Sequence, residues 1–408
     1  MGQSVICAAA PAPAVPIVSV PVSDACSDLL ELFAGVSDGR VGQGRDHPVA
    51  AVLALAAAAV VAGMKGYTAI AGWVADVSAA VRADLYLRAG AIPAGPASKT
   101  TIWRVLTDTD PEAFDAAVGA WLMNLAGFAT PAAGGVDHGV PACGALMQVR
   151  LDGKAIRGAK DADGNQVRLL AALVGPDAAT AVVAAQAEVG KKTNEVPMAT
   201  VVLGQIDLEG KVVTADALHT VKATANHIHE HGGEFVFPVK ENRRALFDAL
   251  DALPWDQVPV AHTATDKGHG RITTRTIQVL PAPDDLPFPH VSQVFLIERY
   301  VTGLQGQPVS AVAALGVASP GPGQADAAGL AGYVREQWSI ESLHWLRDTL
   351  YQEDKSQVRT RSGPRIMAAL RNLAICALRL SGRTDVTEAT RWAGRSMDRP
   401  FIILGLTS

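Results

Sequence analysis

The stretch 146–242 constrains the fold most: it reads as three apolar strands, a helix, a strand, a helix and a last strand, an order that builds a mixed α/β sheet. MQVRLDG alternates as a half-buried strand does. VRLLAALV and TAVVAAQAEV follow as two more strands, joined by the turn signal GPDAA. MATVVLGQID reads as helix, VVTADAL as a buried strand, and HTVKATANHIHEHGG as a helix stopped by its glycines. EFVFPVK closes the series as another apolar strand.

The flanks have a different texture. Residues 1–26, rich in Ala, Pro and Val, read as a disordered leader, and 27–130 as an all-helical N-terminal domain. There Asp46 and Pro48 suit a helix start, 67–87 carries an apolar stripe of Ile70, Trp73, Val74, Val77 and Val81, and Ser98 is placed to cap SKTTIWRVL. The 16 apolar residues 49–64 fall short of the roughly 20 that span a bilayer, and alanine dominates them, so they read as a buried helix. Residues 131–145 form a Gly/Pro-rich linker. Beyond the α/β unit, RITTRTIQVL and QVFLIERYVT mark 243–320 as a β-rich insertion. Helical texture returns over 321–382 to complete the α/β unit, and 383–408 reads as a C-terminal tail.

Charge bears on the partner. The chain carries 35 Lys+Arg against 40 Asp+Glu, a net −5, whereas nucleic-acid binders are usually basic. Between Asp354 and Asp385, however, there is no acid, while Lys355, Arg359, Arg361, Arg365, Arg371, Arg379 and Arg383 accumulate. This local cationic segment revives a DNA reading; a solvated helical face is the ordinary alternative. The four cysteines are scattered without a CxxC pair, which argues against a disulfide framework or zinc ribbon and suits a reducing cytoplasm.

Two acids stand where apolar strands give out: Asp152 in MQVRLD and Asp216 in VVTAD. Carboxylates at strand ends project into the crevice where open α/β sheets bind ligands. Two on neighbouring strands could share a hard cation such as Mg²⁺, which takes oxygen ligands and keeps waters. Either Asp alone would ordinarily be a turn former or helix cap. A third carboxylate has to come from elsewhere. Glu341, bracketed by Trp338 and Trp345 in REQWSIESLHW, is one choice, and by charge Glu336, Glu353 or Asp354 serve as well.

The runs LDGKAIRGA, ADALHT, FVFPVKEN, HGRITTRTI, WSIESLHWLRDTLYQEDKSQVRT and RNLAICALRL together resemble the DDE insertion-sequence transposases, in the branch of the H-repeat-associated proteins. LLELFAGVSDGRVGQGRDHPVAAVLAL and SKTTIWRVLTDTDPEAFDAA are similar to the helical domain that accompanies their catalytic domain, so the resemblance runs from about 28 to 405. It implies a ribonuclease H-like α/β catalytic domain over 146–242 and 321–382, with Asp152, Asp216 and Glu341 as the catalytic, metal-holding triad, 64 (152 to 216) and 125 (216 to 341) residues apart. It further implies two Mg²⁺ ions, replaceable by Mn²⁺, and double-stranded DNA, both terminal repeats and target, as partner. A homodimer in the synaptic complex and a bacterial, cytoplasmic, nucleoid-associated location complete the expectation. Water would free a 3′-hydroxyl at the element's end, and that hydroxyl would attack target DNA. A metal-dependent nuclease, or a degenerate transposase-derived DNA-binding protein, is the alternative.

One departure stands out. Related enzymes carry Tyr, Arg, Glu and Lys around the catalytic Glu; here Val334, Gln337 and Asp348 occupy the Tyr, Arg and Lys positions. Arg335, Arg347 and the 355–371 cluster, with Lys355, Arg359 and Arg361, are left to contact phosphates. Lys154, Arg157, His219, Lys222, Lys240 and Asn242, close in sequence to the acids or strand ends, are further DNA candidates, against ordinary surface polarity. SKTTIWRVL would offer Lys99 and Arg104 as a recognition helix, although the loop before it is too long for a tight helix-turn-helix. HIHEH lacks the spacing of a zinc site, KGHGR suits a hairpin turn, and Trp255 is more readily a packing residue than a base-stacking one.

Overall fold

The structure, a computed structural model, describes residues 28–40, 45–128, 146–160, 164–190, 195–268, 270–383 and 385–407. The expected leader 1–26, the linker 131–145 and His269 of KGHGR lie outside the described residues. Among the described residues six helices come first: α1 (Leu29–Ala34), α2 (Val49–Val61), α3 (Tyr67–Asp76), α4 (Ala79–Arg88), α5 (Lys99–Asp108) and α6 (Pro111–Leu125). Ser98 caps α5 as expected. The single helix expected over 67–87 is instead broken, because Val77 is extended and the Ser78 side chain caps α4. Asp46 does not cap α2, whose start is Pro48.

The sheet follows as β1 (Met147–Lys160), β2 (Gln166–Gly175) and β3 (Val182–Glu188), then α7 (Glu195–Leu203), β4 (Lys211–Thr214), α8 (Lys222–Glu230), β5 (Glu234–Val239) and α9 (Arg244–Asp251). Two hairpins, β6 (His262–Gly268) with β7 (Arg271–Pro281) and β8 (Gln293–Gly303) with β9 (Pro308–Ala318), lead to α10 (Ala327–Glu336), α11 (Ser339–Thr349) and α12 (Gly363–Leu380). α13 (Val386–Gly394) and α14 (Arg399–Ile403) end the chain. The nine strands of the described residues form one mixed sheet ordered β3-β2-β1-β4-β5-β9-β8-β7-β6. β1, β4 and β5 are parallel; β9 joins β5 antiparallel, so the β-rich segment extends the main sheet directly. β9 has no counterpart among the strands expected from the sequence, because PVSAVAALGVA mixes small residues without alternation.

α2 is buried on every side from Ala50 to Val61, and α12 is buried almost throughout. A helix apolar all round belongs inside a core, and these two share one core with α1, α3, α5, α6 and the outer face of β2 and β3. α6 crosses β3 so closely that a Cβ on Gly119 would collide with the Ala184 carbonyl oxygen. Of the segment 383–408, expected as a tail, residues 385–407 pack into the same core through Ala389, Ala393, Phe401, Leu404 and Leu406. Among the described residues no helix is long and apolar enough to cross a membrane.

A chain of buried polar groups runs through this core. Arg365 Nε and Gln186 Nε2 each donate to Asp115 at 2.6 Å, and Asn372 Nδ2 donates to Gln186 at 3.0 Å. Arg347 then reaches Asn372 at 3.4 Å and Glu353 at 2.9 Å, and Arg371 meets the same Glu353 at 2.7 Å. The cationic segment of the sequence is therefore divided: Arg365 and Arg371 are spent on buried carboxylates, while Lys355, Arg359 and Arg361 stay exposed.

Candidate active site

β1 and β4 pair in parallel up to Arg150↔Thr214, and Asp152 and Asp216 each stand two residues beyond that last pair. Asp152 does not end its strand, contrary to the sequence expectation, because β1 continues to Lys160 against β2. What ends there is the pairing with β4, and the sheet opens on that side. The Asp216 carboxylate accepts from Leu218 N at 3.0 Å, so it is also the turn former its residue type favours.

α10 and α11 are fastened over this opening. Gln148 Nε2 donates to Thr214 Oγ1 and to the Tyr333 carbonyl, both at 2.8 Å, and Arg150 Nε donates to the Glu336 carbonyl at 2.9 Å. The helix expected to run on through REQWSIES breaks at Gln337 and Trp338. At the break Gln337 donates to the Leu151 carbonyl at 3.0 Å and accepts from Thr214 Oγ1, bridging the two acid-bearing strands. A neutral amide suits this place because it both donates and accepts, which a guanidinium does not. Gln337 is thus a clamp rather than a lost phosphate contact. Gln337→Ala is expected to leave the fold intact and slow DNA cleavage by roughly 10²-fold through misplacement of α11, measured as single-turnover nicking beside circular dichroism.

Clamped in this way, α11 presents Glu341 in its first turn, exposed, and His344 one turn on, with Nδ1 3.4 Å from Asp152 Oδ2. Burial, reinforced by Asp152, pushes the Glu341 carboxyl above the usual range. Glu195, at the start of α7, is pushed up in the same way by burial and by Asp152 and Asp216. Burial holds His219 and His344 below the ordinary imidazole range, so both are neutral near neutral pH. Asp152 is the hub: it acts on Glu195, His219, Glu341 and His344 alike. The alternative third acids are engaged elsewhere. Glu353 is fully buried between two arginines, Asp354 faces Lys154 and Arg157, and Glu336 lies 3.7 Å from Arg150.

Among the described residues no three of His, Cys, Asp and Glu are drawn into a ready-made metal cage. The donor set still fits a hard divalent cation: oxygen ligands, carboxyls raised first by burial and then by neighbouring acids, and a nearby cation, Lys154, already committed to Asp348 at 2.6 Å.

The expected DNA contacts divide by exposure. Arg347, 0% exposed and bound to Glu353, is not available to a phosphate, and His219, 1% exposed, is buried beside the acids. Lys154 is mostly buried with Asp348. Arg157, Lys222, Lys240, Lys355, Arg359, Arg361, Lys99 and Arg104 are exposed. Lys222 and Lys240 follow β4 and β5 at the end of the sheet that carries the acids, and Asn242 ties that region to the Ala217 carbonyl at 3.0 Å. Arg335 is exposed and bound to Asp266, and Arg361 to Asp108. Trp255 packs, its Nε1 donating to the Leu250 carbonyl at 2.8 Å. Trp338 and Trp345, each 61% exposed, flank Glu341 instead. Glu195 and His344 are candidate site residues that the sequence alone does not single out, and Gln337 stands out there only as a departure from the family pattern: an acid at a helix start ordinarily complements the helix dipole, and the other two need the helix break to be placed.

The model of the transposase DDE domain family matches residues 139–377, and that of its associated domain (DDE_Tnp_1-associated) matches 30–122. An uncharacterised protein of the dhlA 3′ region of Xanthobacter autotrophicus is 34% identical over 57% of this chain and 73% of its own length. YhhI of Escherichia coli K12, an H repeat-associated transposase candidate, is 22% identical over 85% of this chain and 89% of its own. A piggyBac transposase, solved as a synaptic complex with hairpin DNA, superposes with a TM-score of 0.41 at 10% identity over 93% of this chain and 81% of its own, a likeness too remote to carry weight. The family is divalent-metal dependent. The chain belongs to the transposase DDE domain family: it is an insertion-sequence transposase, an enzyme that cleaves and transfers DNA strands.

Proposed function

We propose that Asp152, Asp216 and Glu341 are the three catalytic acids and together hold two Mg²⁺ ions, which Mn²⁺ can replace. The observation that carries this reading is the matched register, two residues beyond Arg150↔Thr214 on both strands, with Glu341 exposed in the first turn of α11 and His344, one turn on, 3.4 Å from Asp152. Asp152, Asp216 and Glu341 would hold the ions through their carboxylate oxygens, and bound metal would supply Lewis-acid stabilisation of the charge that develops at the reacting phosphate. His344 orients Asp152, and Gln337 sets the height of α11 over the strands. Lys222, Lys240, Arg157, Arg359, Lys355, Arg361 and Arg335 grip phosphates around the acids, and Lys99 and Arg104 on α5 give a second footing. Trp338 and Trp345 offer faces on which unpaired bases stack.

The order β3-β2-β1-β4-β5, with β2 antiparallel to β1 and β4 and β5 parallel to it, supports a ribonuclease H-like core over 146–242 and 321–382. The helical region 27–130 and the β-rich 243–320 then serve as DNA-binding additions. The partners are the element's terminal repeats and target DNA. A homodimer brings two ends together, in a nucleoid-associated, cytoplasmic setting.

The test is nicking of a labelled duplex carrying the element's end, with Mg²⁺ or Mn²⁺. Glu341→Gln abolishes nicking and Glu336→Gln retains it; nicking by Glu341→Gln at the native rate would remove Glu341 from the site.

A further inference from the structure

Glu195 opens α7, and its carboxylate lies directly over Gly153, the residue after Asp152. A Cβ built on Gly153 would stand 2.6 Å from Glu195 Oε1 and 2.7 Å from Oε2, so glycine at 153 is what lets this carboxylate approach β1 beside the acid. Glu195 is half-buried there, within the electrostatic reach of both Asp152 and Asp216. A second observation comes from His219. It is 1% exposed, faces the same two acids, and its Nδ1 has no hydrogen-bond partner. His344 likewise leaves Nε2 unanswered while Nδ1 faces Asp152. Buried polar atoms are nearly always paired, so the unanswered imidazole nitrogen of His219, beside the same carboxylates, marks polar space arranged around a ligand.

We infer that Glu195 is a fourth oxygen ligand of the divalent-metal site, brought to it from the N-terminus of α7 across Gly153. The inference rests on the reading of Asp152 and Asp216 as metal-holding acids. It assigns Gly153 a purpose as well: any larger residue would push the far end of the Glu195 side chain away while leaving the backbone in place. The competing account, an acid that merely complements a helix dipole, gives Glu195 no bearing on metal affinity and gives Gly153 no link to it.

The experiment is calorimetric titration of the full chain, without DNA, with Mn²⁺. Glu195→Gln is expected to weaken Mn²⁺ binding by roughly 10- to 100-fold. Gly153→Ala weakens it similarly, and the double variant is no worse than either single one because both remove the same contact. Asp216→Asn is titrated in parallel. Native Mn²⁺ affinity in Glu195→Gln alongside loss in Asp216→Asn overturns the assignment of Glu195 and leaves the three-acid reading standing. Native affinity in both overturns the two together.

Discussion

Glu353→Gln should destabilise this protein by roughly 3–5 kcal/mol, the cost of leaving buried charges without their partner. Glu353 is 0% exposed and holds Arg347 and Arg371, themselves 0% and 1% exposed, at 2.9 and 2.7 Å. The isosteric amide keeps the volume and removes the charge, so two guanidiniums remain in the core facing a neutral oxygen. For a chain of 408 residues, at about 1.2 °C per kcal/mol, the thermal midpoint falls by roughly 4–6 °C. The damage reaches further than one contact, because Arg347 belongs to α11 and Arg371 to α12. The triad fixes the helix that presents Glu341. Replacing all three groups by apolar residues of similar volume should recover most of the lost stability, since a buried ion network is costly chiefly when broken. A midpoint within about 1 °C of the native one for Glu353→Gln alone, less than 1 kcal/mol would produce, would contradict this account.

The same triad sets an acid limit. The two arginines, against the opposing effect of burial, hold the Glu353 carboxyl down to about 2, below its ordinary 4.5. A depressed carboxyl contributes stability that is complete above the ordinary value and is lost as pH falls toward the folded one. Equilibrium unfolding should therefore show stability declining from about pH 4.5 to about pH 2, with that part of the slope missing in the apolar triple replacement.

Asp152→Asn and Asp216→Asn should each lower single-turnover cleavage by roughly 10³-fold or more, since metal assistance is worth several kcal/mol and each 1.36 kcal/mol is a factor of ten. The double replacement should be scarcely worse than either single one, because groups that act as a unit lose their joint effect at the first removal. Near-native folding is expected throughout: Asp216 is exposed and Asp152 partly so. A clear multiplication of the two losses would mean that the carboxylates act independently.

Part of the proposed site is legible in the sequence. The chain order of elements over 146–242 needs only periodicity, and Asp216 follows its strand as its apolar run suggests, whereas Asp152 stands inside β1 because the pairing with β2 outlasts the pairing with β4. Glu341 is not legible that way. By charge it equals Glu336, Glu353 and Asp354, and only their surroundings separate them, since the other three are spent on arginines or on Lys154. The basic run 355–383 misleads for the matching reason. A list of arginines carries no depth, and Arg365 and Arg371 belong to the core rather than to a DNA-facing surface. The helix break at Gln337 is hidden because REQWSIES has helical periodicity on both sides of it. The break exists for a long-range reason, the amide reaching Thr214 and Leu151.

The paired positions of Asp152 and Asp216 also bear on which length changes the gene can tolerate. Their alignment is written in the hydrogen-bond register of β1 and β4 rather than in any one side chain. Deleting one residue from 147–151 would shift Asp152 by one step, turn it to the opposite face of the sheet, and carry Gln148 or Arg150 out of their grip on α10. The same deletion at the β8–β9 turn, between Gly303 and Pro308, would alter only the tip of an exposed hairpin. Frame-preserving indels recovered from active copies of this element should therefore spare 147–152 and 211–216 and collect at hairpin tips.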